Sequence, residues 1–85
     1  MIITISPKAE KQLSKLPQRI QKKTHRQFSF LISDYRHPSL FSRKMGGQNI
    51  FEARIDIHYR LTFQIKEQNI YILTIGPHDE GLGKK

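Results

Sequence analysis

Ile50-Phe51-Glu52-Ala53-Arg54-Ile55-Asp56-Ile57-His58-Tyr59-Arg60-Leu61-Thr62-Phe63 is the stretch whose reading decides the architecture. Phe51, Ala53 and Ile55 alternate with Glu52, Arg54 and Asp56, and Tyr59, Leu61, Phe63 and Ile65 then alternate with Arg60, Thr62, Gln64 and Lys66. A period of two puts successive side chains on opposite faces of a strand, so each run has one oily face and one polar face. A turn at Asp56-Ile57-His58 makes the two runs an antiparallel hairpin in which opposed residue numbers sum to about 114. Phe51 then faces Phe63, and Arg54 faces Arg60.

Downstream, the polar turn Lys66-Glu67-Gln68-Asn69 leads to a third strand-like run, Ile70 to Ile75, which closes at Gly76-Pro77. Upstream of the hairpin, His37-Pro38-Ser39 breaks a helical pattern, and Phe41 to Gly47 reads as a loop of basic and small residues (Ser42, Arg43, Lys44, Gly46, Gly47). From Gln18 onward Ile20, Thr24, Phe28, Leu31 and Tyr35 share one face while Arg19, Lys22, Lys23 and Arg26 point elsewhere. This spacing predicts an amphipathic helix of about five turns whose apolar stripe needs a sheet to cover. Ala9, Leu13 and Leu16 recur at helical spacing up to Pro17, which ends a first helix. That helix opens with Ser6-Pro7, an N-cap residue and a proline at the first helical position. Before it, the β-branched run Ile2-Ile3-Thr4-Ile5 reads as a first strand. The order β-α-α-β-β-β describes an α+β fold, with two N-terminal helices packed on one face of a mainly antiparallel four-stranded sheet. At 85 residues the expected organisation is one domain over 1–85, because a chain this short buries only roughly 60% of its unfolded surface and has no material for a second core.

Fifteen basic against seven acidic residues give a formal charge of +8, which points to nucleic acid, ribosome or an acidic protein as partner. The excess is local. Residues 7–44 carry ten Lys/Arg against Glu10 and Asp34, whereas residues 45–85 carry five of each sign. The helices and the connecting loop therefore supply the field. Cysteine is absent, which excludes disulfides and thiolate chemistry and fits a cytoplasmic setting. The apolar N-terminal run stops at Ser6-Pro7 with no basic region before it, so neither a signal peptide nor a membrane span is expected.

Two arginines directly opposed on a polar sheet face repel by roughly 0.2–1 kcal/mol, so the pair either borrows neutralisation from Glu52 and Asp56 or serves an anion, for which a phosphate is suited. An arginine–carboxylate lattice on a solvated face fits the same spacing. His78 follows Gly76-Pro77 beside Asp79 and Glu80, and an imidazole that titrates near neutrality suits general acid–base work, although a solvated terminal histidine fits as well. His25, His37 and His58 read as surface or capping residues with no common metal-ligand spacing, so no metal site is expected. Arg43 and Lys44, before Gly46-Gly47, are placed to touch RNA backbone without reading sequence, and Lys22, Lys23 and Arg26 extend that basic surface along the second helix. Phe51, Tyr59, Phe63 and Tyr71 read as core or cross-strand packing residues.

The same residues resemble a known family. Arg54, five residues and Arg60 within a strand–turn–strand, the closing run Ile75-Gly76-Pro77-His78-Asp79, and the connector His37-Pro38-Ser39-Leu40 with Lys44-Met45-Gly46-Gly47 are similar to the RelE/ParE toxin superfamily, and the element order agrees. The resemblance covers nearly the whole chain. It implies a toxin of a bacterial type II toxin–antitoxin pair and, for the RelE-like branch, a ribosome-dependent, metal-independent endoribonuclease that cuts mRNA and inhibits translation. On that resemblance Arg60 stabilises transition-state charge, Arg54 positions or supports the phosphate, and His78 performs acid–base chemistry, with no small-molecule cofactor. The implied partners are a cognate antitoxin, mRNA and the ribosome. The alternatives within the resemblance are a ParE-like toxin that inhibits DNA gyrase by protein binding, and a non-catalytic RNA-binding homologue. Two features depart from the family pattern. Asp79-Glu80-Gly81-Leu82 stands where many active members have a tyrosine, and Glu52-Ala53-Arg54 where some carry lysines.

Overall fold

Buried backbone amides and carbonyls of a strand need hydrogen-bond partners, and this small chain supplies some of them from helix side chains where no neighbouring strand reaches. The computed structural model describes residues 2–46 and 49–77. Their order is β1 (Ile2–Ile5), α1 (Pro7–Ser14), α2 (Gln18–Ser33), a 3₁₀ turn (Pro38–Leu40), β2 (Arg43–Lys44), β3 (Ile50–Arg54), β4 (Tyr59–Lys66) and β5 (Asn69–Pro77). The sheet runs β1-β5-β4-β3-β2. β1 lies parallel to β5 and every other pairing is antiparallel.

The expected α+β architecture is present with one difference in strand count. Arg43–Lys44, within the predicted loop, pairs with Glu52 and Phe51 as a two-residue edge strand, making the sheet five-stranded among the described residues. Its ladder continues through the Met45 N–H, which donates to the Ile50 carbonyl at 2.8 Å. These bonds are made by the backbone alone, so the polar Ser42-Arg43-Lys44 sequence carries no alternation to announce them. The second helix also ends sooner than its pattern suggests. It stops at Ser33, and Asp34 turns to extended geometry (φ −168°, ψ 104°), so Tyr35 packs from outside the helix.

Both helices cover the oily face of the sheet. Ala9 and Leu13 from α1 and Ile20, Phe28 and Leu31 from α2 join Ala53, Ile55, Leu61, Phe63, Ile70, Ile72 and Ile75 in one buried cluster. Phe51 and Phe63 stack with ring centroids 5.4 Å apart, as their opposed register requires. The first helix begins where the sequence says it should. The Ser6 hydroxyl oxygen accepts from the Ala9 N–H at 3.0 Å, and Pro7 takes the first helical position.

Helix side chains finish the strand edges that neighbouring strands leave uncovered. β1 ends opposite Ile72, and beyond it the Ser6 hydroxyl donates to the Leu73 carbonyl (3.1 Å) while the Ile75 N–H donates to Gln12 Oε1 (2.8 Å). β2 reaches only Glu52, and beyond it the buried Gln27 of α2 donates from Nε2 to the Arg54 carbonyl (2.6 Å) and to the Ser39 carbonyl (3.1 Å). One glutamine thereby joins α2, the 3₁₀ turn and the end of β3. Replacing Gln27 with Leu keeps its bulk and removes both donors. We expect Gln27→Leu to destabilise the fold by about 1–3 kcal/mol, read by urea denaturation. Leu61→Ala, a core truncation, should cost about 2–5 kcal/mol in the same assay.

Candidate functional site

The register places Arg54 opposite Arg60, as the sum of about 114 predicts. The Ile55 N–H donates to the Tyr59 carbonyl at 2.9 Å, and the Ile65 N–H to the Asn49 carbonyl at 3.0 Å. Ladder bonds therefore fall on odd-numbered pairs. Arg54 and Arg60 form the narrow pair between them, where opposed Cα atoms are about 4.5 Å apart and side chains stand closest. Their chain neighbours Ala53 and Leu61 point into the core, so both arginine side chains rise from the face that carries no helix.

Neither carboxylate near the pair neutralises it directly. Glu52 Oε1 accepts from Arg43 Nε at 3.1 Å. Asp56 Oδ1 accepts from the His58 and Tyr59 amides at 2.8 and 3.0 Å and so builds the turn, while Oδ2 lies 3.9 Å from both Arg19 and Lys23. Among the described residues, Arg54 and Arg60 have no carboxylate within 4.0 Å. Arg60 Nη1 instead donates to the Asp56 and Tyr59 carbonyls at 2.7 and 3.2 Å, which bends it back over the hairpin turn. Burial, and next the Arg54 guanidinium, lower the Arg60 pKa below the ordinary arginine value, with Glu52 and Asp56 opposing the shift and Arg43 adding to it. The charged form, still the one held at neutral pH, is thus less favourable in the folded chain than in the unfolded one. That cost is present in full at neutral pH and would fall away only as pH rises through the depressed folded pKa.

Arg54 is held differently. Its guanidinium carbon lies 4.2 Å from the centroid of the Phe41 ring, and its Nε is buried without a hydrogen-bond partner. On the other side of Arg60 the register brings Gly76, which has no side chain to fill the floor of the sheet. The open face therefore carries a transverse row of ring, cation, cation and gap.

The predicted RNA-backbone residues of β2 and those of α2 do not form one surface. Arg43 shares the open face, since it pairs with Glu52, whereas Lys44 pairs with Phe51 and faces the other way. At the sheet edge both still border one cleft of about 490 Å³ with Tyr35, Arg36, Ser42, Asn49 and Phe51. Lys22, Lys23 and Arg26 belong to α2, behind the sheet from the arginine pair. Lys22 is exposed, Lys23 approaches Asp56, and Arg26 borders a shallow depression with Gln27, Phe30 and Ile55. His78, with Asp79 and Glu80, lies outside the described residues.

The remaining aromatic and histidine residues mostly follow expectation. His37 caps the 3₁₀ turn by accepting from the Ser39 N–H (3.1 Å) and stacks on Phe30, and His25 meets Phe28 edge-on. Tyr71 takes the cross-strand of the two expected roles. It pairs with Gln64 and Thr4 on the open face, half-buried, rather than in the core. A β-bulge explains the pattern, because Leu73 is inserted between the Phe63–Ile72 and Thr62–Thr74 pairs and shifts the alternation of β5. Phe41 was legible only as a loop residue. Its one sequence signal is a large aromatic side chain in an otherwise polar connector.

The family model described as ParE toxin of type II toxin–antitoxin system, parDE, matches residues 3–82. No curated protein matches the chain by sequence. Among solved structures, the archaeal RelE–RelB complex from Pyrococcus horikoshii contains a chain with a TM-score of 0.79 at 20% identity, covering 89% of this chain and 92% of that one. The YoeB/ParE toxin from Agrobacterium tumefaciens superposes with a TM-score of 0.80 at 10% identity, over 92% and 99% of the two chains. The E. coli DinJ–YafQ toxin–antitoxin complex gives 0.78 at 15% identity, over 95% and 96%. These likenesses share the fold while most side chains differ.

An unrelieved cation pair is stabilised by any anion that bridges it. Inorganic phosphate at ten times its dissociation constant would add about 1.4 kcal/mol to folding. Thermal unfolding in phosphate, against chloride of equal ionic strength, should show a midpoint several degrees higher. Arg54→Gln should remove that difference and raise the midpoint in low salt, because it relieves the repulsion.

Proposed function

The chain belongs to the ParE toxin family of type II toxin–antitoxin systems, and from that premise we propose that it is an endoribonuclease toxin that cleaves mRNA on the ribosome. The observation that carries this reading is the Arg54–Arg60 pair, opposed on the open sheet face without a carboxylate between them and flanked by Gly76. Two arginines at opposed positions on one sheet face suit the oxygens of a phosphodiester, and a glycine beside them leaves room for the chain that carries it.

In the proposed reaction the ribose 2′-oxygen attacks the adjacent phosphorus. A P–O2′ bond forms as the P–O5′ bond breaks, giving a 2′,3′-cyclic phosphate and a free 5′-hydroxyl. One proton leaves the 2′-hydroxyl and one reaches the departing 5′-oxygen. Arg60 stabilises the extra negative charge of the pentacoordinate phosphorus, and Arg54 orients the phosphate. His78, directly after β5, supplies the acid–base group, with no metal ion needed for the proton transfers. Arg43 on the same face meets the neighbouring backbone, while Lys44, Lys22, Lys23 and Arg26 make separate contacts with ribosomal RNA in the cytoplasm.

The family name favours a second reading, a ParE-like toxin that inhibits DNA gyrase through protein contacts. In either case the formal charge of +8 calls for an acidic antitoxin, and similar folds have been solved in complex with RelB and DinJ. Induction without antitoxin, followed by mapping of mRNA ends, separates the two activities. Cuts at regular positions within codons are expected from the wild-type chain, and both Arg60→Ala and His78→Ala should reduce them by at least 100-fold, about 2.7 kcal/mol. Arrest of DNA supercoiling with intact mRNA would support the gyrase reading instead.

A further inference from the structure

We infer that Phe41 is a stacking platform for an unpaired nucleobase, placed beside the Arg54–Arg60 phosphate site. This inference rests on the RNA reading above and adds a base-recognition element to it.

Large apolar side chains are normally withdrawn from water, yet Phe41 is 62% exposed. It also occupies left-handed backbone geometry (φ 47°, ψ 43°), which residues other than glycine seldom adopt. Its N–H closes the 3₁₀ turn on the Pro38 carbonyl at 3.1 Å, a task that leaves the side chain unspecified. Glycine would serve the backbone better, so the ring itself needs a reason.

The register supplies one. Paired residue numbers between β2 and β3 sum to 95, as in Arg43 with Glu52 and Lys44 with Phe51, so the line of β2 carried back to position 41 meets Arg54. The Arg54 guanidinium lies against the ring at 4.2 Å and gives up a hydrogen bond at Nε to do so. Among the described residues no other ring packs on Phe41. One face of the ring is thus backed by a cation, and much of the side chain remains open to solvent.

The Phe41 ring lies against Arg54, and Arg54 stands opposite Arg60 of the next strand, so Arg54 links the ring to the second cation. That sequence of aromatic, cation and cation matches a base and the phosphate joined to it. An acidic peptide would use the cations and leave the ring idle. Stacking accepts any base, so the platform itself imposes no sequence preference.

The test uses the full chain and two 2′-O-methyl RNA hexamers, one carrying 2-aminopurine and one with an abasic site at that position. Fluorescence of the first reports stacking directly, and a labelled 5′ end reports affinity for both in low salt. The wild-type chain should quench 2-aminopurine and prefer the base-bearing hexamer. Phe41→Ala and Phe41→Gly should weaken that hexamer roughly tenfold and leave the abasic one within about twofold, while Phe41→Trp retains both signals. Phe41→Gly should also keep or raise the thermal midpoint, showing that the ring is not required for folding. Equal affinity of wild type and Phe41→Ala for the base-bearing hexamer, or binding without quenching, would overturn the platform and leave the nuclease reading standing. Binding of neither hexamer would also overturn it, and the mapping of mRNA ends then decides the nuclease reading separately.

Discussion

The register of the β3–β4 hairpin is the constraint on which the rest depends. Slipping β4 by one residue against β3 would turn Leu61 and Phe63 out of the core, an exchange no surface interaction could offset. Core burial therefore holds Arg54 and Arg60 opposite each other although their charges repel. The repulsion is small beside the apolar burial that enforces it, since one fully buried leucine or phenylalanine contributes about 1.5–3 kcal/mol. The fold tolerates the pair, and the pair is left able to attract an anion.

That register would matter less if the nearby carboxylates were free to answer it. Glu52 is engaged by Arg43, and Asp56 is divided between the turn amides and the cations of α2. Asp56 thus links two sides of the molecule: it shapes the turn beside Arg60 and draws Arg19 and Lys23 of α2 toward that end of the hairpin. The exposed cations involved are screened, and contacts of 3.9 Å contribute little to stability. Their effect is mainly to withhold the carboxylate from the arginine pair.

Side chains from the helices set where the sheet stops. Gln27 takes the Arg54 carbonyl at the point where β2 turns away, and that turn brings Phe41 over the Arg54 guanidinium. Gln12 and Ser6 do the equivalent work along β5, where the bulge at Leu73 places Tyr71 on the open face. Polar residues inside the helical stripes, which a hydropathy pattern treats as interruptions, are here what completes the sheet.

By itself, the sequence determined the order of the two helices and four longer strands, the hairpin with its opposed arginines, and the family. Each depends on local periodicity or on turn chemistry, both written in neighbouring residues. The uneven charge was equally readable, but its grouping into one basic surface was not, because a sheet separates residues that a linear reading joins. Only the tertiary structure decided that Arg43 shares the face of the pair while Lys44, Lys22, Lys23 and Arg26 do not. It also decided that β2 exists, that Tyr71 lies outside the core, and that Phe41 meets Arg54. These depend on backbone hydrogen bonds between distant segments, on one inserted residue in a strand, and on a left-handed turn, none of which leaves a periodic trace in the chain.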